Sequence, residues 1–234
     1  INYPNNPTGA VATKAFYEKL VAWAKTYEVG VVSDLAYGAL GYQGYENPSF
    51  LSTPGAKDVG IEFYTFSKTF NMAGWRLAFA AGNDQMIEAL NLIQDHLFVG
   101  IFPALQEAGI AALLDPKSEE AVAQLNATYD SRRDAFVQAA AKIGWQAFPS
   151  RGSFYAWMPV PEGYTSESFA DLLLEKVHVA VAPGKGFGPA GDAYVRIGLL
   201  VEPERLVEAV DRIANLHLFC LLYTSPSPRD RSLS

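Results

Sequence analysis

Apolar positions along this chain switch between a helical and an extended period, and the switches mark out alternating helices and strands. Thr13 is placed to cap a helix in which Phe16, Leu20, Trp23, Ala24 and Tyr27 recur at helical spacing, with Gly30 as the predicted stop. Val29 to Val32 is a short, uniformly apolar run, the pattern of a strand buried on both faces. Two further strands are predicted at Glu62 to Phe66 and Leu77 to Ala81. Ser118, followed by Glu119 and Glu120, opens a long helix that runs to Ile143 and ends at Gly144, with its acidic residues at the positive end of the helix dipole. Beyond it the pattern predicts a strand at Phe154 to Met158 and a helix at Ser166 to Lys176. Strands at Val179 to Ala182 and Tyr194 to Leu199 and a helix at Glu204 to Leu216 complete the series. Pro183 and Pro203 punctuate these elements. The fold class is α/β: a mainly parallel sheet first, over residues 1–115, and a smaller α/β layer second, over 116–219, hinged on the long helix.

Composition narrows the function. Half of the 234 residues are hydrophobic and 18% are charged, too apolar for a disordered chain. A net charge of −7 argues against a nucleic-acid partner, which calls for a basic patch. No apolar run has the length of a membrane span and no signal sequence opens the chain, so a soluble cytoplasmic protein is expected. The one cysteine, Cys220, leaves no internal disulfide to form. His96, His178 and His217 are scattered, and no metal site is expected.

Both ends read as those of a fragment. Ile1-Asn2-Tyr3 is a short apolar piece with no initiator methionine and no neighbour in sequence to pair with. After Phe219 the chain changes character: residues 220–234, rich in Ser, Pro and Arg, resemble the translation of a transposon-end adaptor used in sequencing libraries. They are set aside as a non-native tail.

Three polar residues fall just past the carboxyl ends of predicted strands, where open parallel sheets bind ligands: Asn6, Asp34 and Lys68. Singly, each has a plain reading as a turn, a cap or a solvated side chain. Together they outline one rim. The glycine-rich stretch Gly184-Lys185-Gly186-Phe187-Gly188 lacks the spacing of a phosphate loop and reads as a substrate-side loop or a plain connection between strands. Phe98, Val99, Ile101 and Phe102 form an apolar run fit for core or for an interface.

The run from Thr65 through Ser67-Lys68-Thr69-Phe70-Asn71-Met72-Ala73-Gly74-Trp75-Arg76 to Ala78 resembles the cofactor-lysine signature of class I/II pyridoxal-phosphate-dependent aminotransferases. Asn6-Pro7-Thr8-Gly9, Asp34-Leu35-Ala36-Tyr37 and Tyr194-Val195-Arg196-Ile197-Gly198 are similar to further motifs of that family, in the same order. The resemblance spans residues 1–219 and implies the aspartate aminotransferase fold, fold type I, with a homodimer as the working unit. It implies that Lys68 binds pyridoxal 5′-phosphate covalently and carries the proton to and from substrate Cα. Asp34 would pair with the pyridine nitrogen, and Asn6 and Tyr37 with the phenolic oxygen. Thr65, Ser67 and Arg76 would hold the phosphate, and Arg196 the substrate α-carboxylate, for which a planar fork suits better than an ammonium. Thr65 departs from the serine or glycine usual there but keeps a hydroxyl.

Substrate identity is less constrained. From Leu77 through Pro116 there is no lysine or arginine, whereas dicarboxylate-specific relatives place an arginine in that stretch. The chain most resembles bacterial methionine-salvage and LL-diaminopimelate aminotransferases. Gln94-Asp95-His96-Leu97-Phe98 and Gly152-Ser153-Phe154-Tyr155-Ala156-Trp157 favour the former, with an LL-diaminopimelate or broad-specificity enzyme as the alternative. A carbon–sulfur β-lyase would use the same site. An aminotransferase-like regulator domain would need a DNA-binding partner domain. The fragment as written is expected to be inactive.

Overall fold

The computed structural model describes residues 1–219, so the reading of residues 220–234 as a non-native tail lies outside the described residues. In chain order the elements are α1 (Lys14–Tyr27), β1 (Val31–Asp34), α2 (Ala56–Val59), β2 (Gly60–Thr65), α3 (Phe66–Thr69), β3 (Ala78–Gly82), α4 (Asp84–Leu97) and α5 (Pro103–Leu114). They continue with α6 (Ser118–Lys142), β4 (Tyr155–Pro159), α7 (Ser166–Val177), β5 (Ala182–Pro183), β6 (Tyr194–Gly198) and α8 (Pro203–Ala214).

Thr13 caps α1 as its sequence predicts, its hydroxyl accepting from the Phe16 N–H at 3.1 Å. The buried face differs from the predicted one. Tyr17, Val21 and Ala24 turn inward onto Phe50 and Val31, while Trp23 and Tyr27 stay exposed and pack on each other. Apolar residues surround more than half of this helix, so spacing alone does not choose the face. The helix stops at Glu28, which takes the left-handed conformation two residues before Gly30.

The first sheet has the order β1-β2-β3, with β1 parallel to β2 and β3 antiparallel to it. The opening residues find a partner after all: the Ile1 ammonium donates to the Val32 carbonyl at 2.8 Å, and the Asp34 N–H donates to the Ile1 carbonyl at 2.9 Å. Asn2 thereby bridges Asp34 in parallel. β1 alternates instead of being buried on both faces: Val31 and Ser33 point inward, and Val32 is 47% exposed. Beneath the sheet, Glu62 is a buried carboxylate held by the Ser33 hydroxyl (3.0 Å), the Phe50 N–H (2.8 Å) and the Ser49 hydroxyl. These bonds tie the segment after β1 to β2.

α4 and α5 fill the stretch between β3 and α6, for which the sequence pattern predicted no element. Asn83 caps α4 by accepting from the Met86 N–H, and Pro103 starts α5 at a position that needs no N–H. Phe98, Val99 and Phe102 lie at the junction 69–89% exposed, so the reading of that run as core fails for them. Ile101 alone packs inward, against the cluster of Phe66, Met72 and Leu77.

The second sheet, β4-β6-β5, is antiparallel throughout. Its inner face, Ala156, Met158, Val195 and Ile197, packs with Trp145 against Phe136 of α6, Phe169 and Leu173 of α7, and Leu206, Val210 and Ile213 of α8. β5 is two residues long, shorter than the predicted Val179 to Ala182. His178 turns left-handed at the end of α7, and the Val179 N–H returns to the Leu173 carbonyl instead of pairing across the sheet. α6 ties the two sheets together. Its buried Arg133 lies over the Tyr42 ring at 4.5 Å and pairs with Asp130 and Asp134, and Asn126 donates to the Ala39 carbonyl at 2.7 Å. Among the described residues no helix is long and apolar enough to cross a membrane.

Candidate active site

Asp34 closes β1, and Lys68 lies three residues beyond the last residue of β2, in the single turn of α3. Thr65 makes that turn possible: its Oγ1 accepts from the Ser67 N–H at 3.2 Å, and the Thr65 and Ser67 hydroxyls meet at 2.9 Å. Thr65 thus uses its hydroxyl to cap the turn that carries the lysine. Lys68 is half-buried, and no ion pair among the described residues uses either its amine or the Asp34 carboxylate. The Lys68 Nζ instead sits 5.5 Å from the centre of the Phe154 ring.

From Phe154 a series of contacts leads across to the second sheet. Phe154 packs edge-on against Tyr37 at 5.3 Å and stacks on Tyr129 at 5.2 Å; Tyr37 meets Tyr155 at 6.0 Å. Burial, and then the Tyr155 phenol beside it, push the Tyr37 phenol well above its ordinary pKa. Arg196 lowers it and Asp34 raises it further, which puts both charges within electrostatic reach of the same phenol. A phenol held protonated is a hydrogen-bond donor to whatever anion lies against it.

Arg196 ends the series. In the β4–β6 register it lies directly opposite Trp157, so the two side chains share the outer face of the sheet with Tyr155. The guanidinium carbon is 4.2 Å from the centre of the Tyr155 ring and 4.7 Å from that of Phe187, and Nη1 donates to Asn6 Oδ1 at 2.7 Å. Asn6 and Arg196 are 190 positions apart in sequence, and this bond joins the turn before α1 to the second sheet. Beside it opens a cavity of about 480 Å³ lined by Asn5, Asn6, Pro7, Thr8, Trp157, Phe187, Ala190 and Gly191, with no charged side chain in its wall. A second cavity of about 530 Å³, between α1 and α4, contains none of the candidate residues.

Lys68, Tyr37, Arg196 and Asn6 are therefore linked through Phe154 and Tyr155. Asp34 ends the strand three residues before Tyr37, and Thr65 and Ser67 adjoin Lys68. Arg76, like the Asp34 carboxylate, makes no side-chain contact with the rest among the described residues: it is exposed, left-handed at φ 53°, and donates to the Ala73 carbonyl of its own turn at 3.0 Å. Phe154, Tyr155 and Phe187 are the participants that sequence reasoning did not assign. The one signal, for Tyr155 alone, was the alternation of large aromatics with small or buried residues along β4. Among the described residues no group of His, Cys, Asp and Glu could hold a metal.

The donor set fits pyridoxal phosphate. It offers a lysine amine without a carboxylate partner, a carboxylate without a cation partner at the end of the neighbouring strand, a protonated phenol, and paired hydroxyls beside the lysine.

The family model for aminotransferase class I and II matches residues 1–213. The chain is 58% identical over 219 residues to the L-glutamine–4-(methylsulfanyl)-2-oxobutanoate aminotransferase of Bacillus subtilis, covering 94% of this chain and 54% of that protein. It is 48% identical to the LL-diaminopimelate aminotransferase of Moorella thermoacetica, covering 91% and 54% of the two chains. The solved structure of an aminotransferase from Staphylococcus aureus matches with a TM-score of 0.90 at 40% identity, over 94% of this chain and 58% of that one. Substrate-bound BacF from Bacillus subtilis matches with a TM-score of 0.89 at 47% identity, over 95% and 56%. The chain spans about half the length of the curated relatives it matches. With the fold, the motifs and the family model in agreement over nearly all of the described residues, this chain belongs to the class I and II aminotransferases, a family whose members use pyridoxal 5′-phosphate.

Proposed function

We propose that this chain is the C-terminal half of an aminotransferase that moves an amino group between an L-amino acid and a 2-oxo acid. The observation that carries the reading is the unbroken series of contacts from Lys68, through Phe154, Tyr37 and Tyr155, to Arg196 and Asn6. Residues 1–115 carry the lysine side of the site and residues 116–219 the carboxylate side. When bound, pyridoxal phosphate supplies an aldehyde for the amino group and a ring that withdraws electrons from substrate Cα. Lys68 Nζ would hold that aldehyde and, when free, would carry the proton to and from Cα. Asp34 would keep a proton on the ring nitrogen, Asn6 and Tyr37 would bind the phenolic oxygen, and Thr65, Ser67 and Arg76 would hold the phosphate. Arg196 holds the α-carboxylate through two parallel N–H bonds, fixing which Cα–H Lys68 can reach.

The oxo acid we assign is 4-(methylsulfanyl)-2-oxobutanoate. The relative that acts on it is 58% identical, against 48% for the LL-diaminopimelate enzyme. The working unit is a homodimer in the cytoplasm; the exposed Leu97, Phe98, Val99 and Phe102 supply apolar surface for a second copy. The test uses a full-length version in which the Bacillus relative supplies the half that this chain lacks. It should accept amino groups onto 4-(methylsulfanyl)-2-oxobutanoate faster than onto oxaloacetate. A preference for oxaloacetate would remove the substrate assignment, and release of ammonia and pyruvate from cysteine conjugates in place of a new amino acid would remove the aminotransferase reading.

A further inference from the structure

The glycine-rich stretch at 184–188 has so far no task. It folds as a single turn of 3-10 helix, Gly184–Phe187, followed by a second at Pro189–Ala193. The two turns touch through backbone alone. A Cβ on Gly184 would lie 2.1 Å from the Gly191 carbonyl oxygen and 2.4 Å from that of Tyr194, so both glycines are needed for the approach. The turn is also tied to the start of α7. The Lys185 N–H donates to Ser166 Oγ at 3.2 Å, Ser166 Oγ donates to Asp192 at 2.8 Å, and Lys185 Nζ meets Glu167 at 2.6 Å. Immediately after Phe187, Gly188 at φ 126° reverses the chain. Everything around Phe187 is fixed, and what it presents is one ring, 41% exposed, against Trp157 and over Arg196.

We propose that Phe187 is a positioning residue for carboxylate recognition, clamping the Arg196 guanidinium against Tyr155 from the opposite side. The inference rests on the reading of Arg196 as the carboxylate site. A guanidinium on a flexible stem has many rotamers, and water competes for its N–H groups. Rings at 4.2 and 4.7 Å from its carbon cover it and stabilise its charge through their π faces. The N–H edge is then left to in-plane acceptors: Asn6 takes one bond, and the remaining N–H groups would serve an arriving carboxylate. A ring that merely filled space beside Trp157 would have no bearing on the arginine.

The clamp is tested in the full-length version with Phe187→Ala, Phe187→Leu and Phe187→Tyr. Steady-state kinetics are measured for the amino acid, and calorimetry follows binding of hexanoate, a carboxylate with no amino group to react. Loss of one cation–π face should raise KM and the hexanoate Kd by about three- to tenfold, with kcat within about twofold. Phe187→Tyr should restore both constants, and Phe187→Leu should fall between. In an Arg196→Gln background, Phe187→Ala should change hexanoate binding by less than about twofold, because nothing remains to clamp. Unchanged KM and Kd in Phe187→Ala, with Arg196→Gln weakening both, would overturn the clamp and leave the carboxylate reading standing. Unchanged hexanoate binding in Arg196→Gln itself would remove both.

Discussion

Replacing Arg196 with lysine keeps the charge and removes the geometry, so it isolates what the fork contributes. The guanidinium has three supports: the 2.7 Å bond to Asn6 Oδ1 and the rings of Tyr155 and Phe187. With one N–H committed to Asn6, two parallel N–H groups can still meet a carboxylate, whereas a lysine ammonium is a single point that cannot hold both oxygens and Asn6 in one plane. The net loss is one charged hydrogen bond to the substrate, about 1.5–3 kcal/mol. At 1.4 kcal/mol per factor of ten, kcat/KM should fall about ten- to 150-fold for amino acid and oxo acid alike. Because the bond exists before and during the reaction, most of the loss should appear in KM. Arg196 lies on the outer face of β6, away from the core around Phe136 and Phe169, so the melting temperature should hold, and a thermal scan separates misfolding from lost recognition. A fall below about threefold in kcat/KM for both substrates would refute the assignment, since that is less than half the smallest charged bond.

Lys68→Ala in the full-length version should abolish turnover, and borohydride reduction of the parent enzyme should fix the cofactor to the peptide containing Lys68; the cofactor on another lysine would end the assignment. Glu62→Ala should cost about 1–3 kcal/mol for each of the buried Ser33 hydroxyl and Phe50 N–H that it strands, whereas Glu62→Gln should cost much less. In the glutamine variant one oxygen still serves both groups and the amide can face the Ser49 hydroxyl; denaturant melts give the comparison. Expressed alone, residues 1–219 should be poorly soluble and inactive, because Val32, Phe79, Leu92 and Ile93 leave apolar surface of the first sheet and α4 uncovered. Turnover by that piece at the rate of the full-length version would contradict this.

What the sequence made legible was local. Thr13, Ser118 and Pro203 mark helix starts to within a residue: Thr13 by its capping bond three positions on, Pro203 by a first-turn position that needs no N–H, and Ser118 by the acidic first turn behind it, without a side-chain cap. Asp34 and Lys68 could be set near strand ends because short β-forming stretches, Val31-Val32 and Ile61 to Tyr64, stop abruptly just before them. The face of α1 was not legible: Phe16, Trp23 and Tyr27 are as apolar as Tyr17 and Val21, and the packing partners Phe50 and Val31 decide between them. α4 and α5 were missed for the opposite reasons. α5 is apolar nearly all round and shows no stripe for periodicity to detect, whereas α4 carries one, Met86, Leu90, Ile93 and Leu97, that the sequence reading passed over and that the described residues leave unburied. Arg196 was legible by its resemblance, but its aromatic cage was not. Tyr155 and Phe187 meet the guanidinium from two separate segments, and only the register of β4 on β6 and the turn at 184–187 bring them together.

The site's two halves sit on different sheets, and their alignment is therefore a property of the junction and not of either sheet. Ser153 is where the junction is tightest. It is fully buried, holds a left-handed φ of 62°, and accepts at its carbonyl from the Tyr42 hydroxyl, which in turn lies under the Arg133 guanidinium of α6. A left-handed serine is costly unless its surroundings enforce it, and here they act on the residue just before Phe154 and Tyr155. Phe154 then faces Lys68 and Tyr37, while Tyr155 faces Arg196. One constrained residue thus aims two consecutive aromatics, one toward the Lys68 amine proposed to move the proton and one toward the Arg196 cation proposed to hold the carboxylate. On that proposal, the peptide step from Phe154 into the start of β4 spaces the two groups, and the geometry that proton transfer at Cα demands would depend on it.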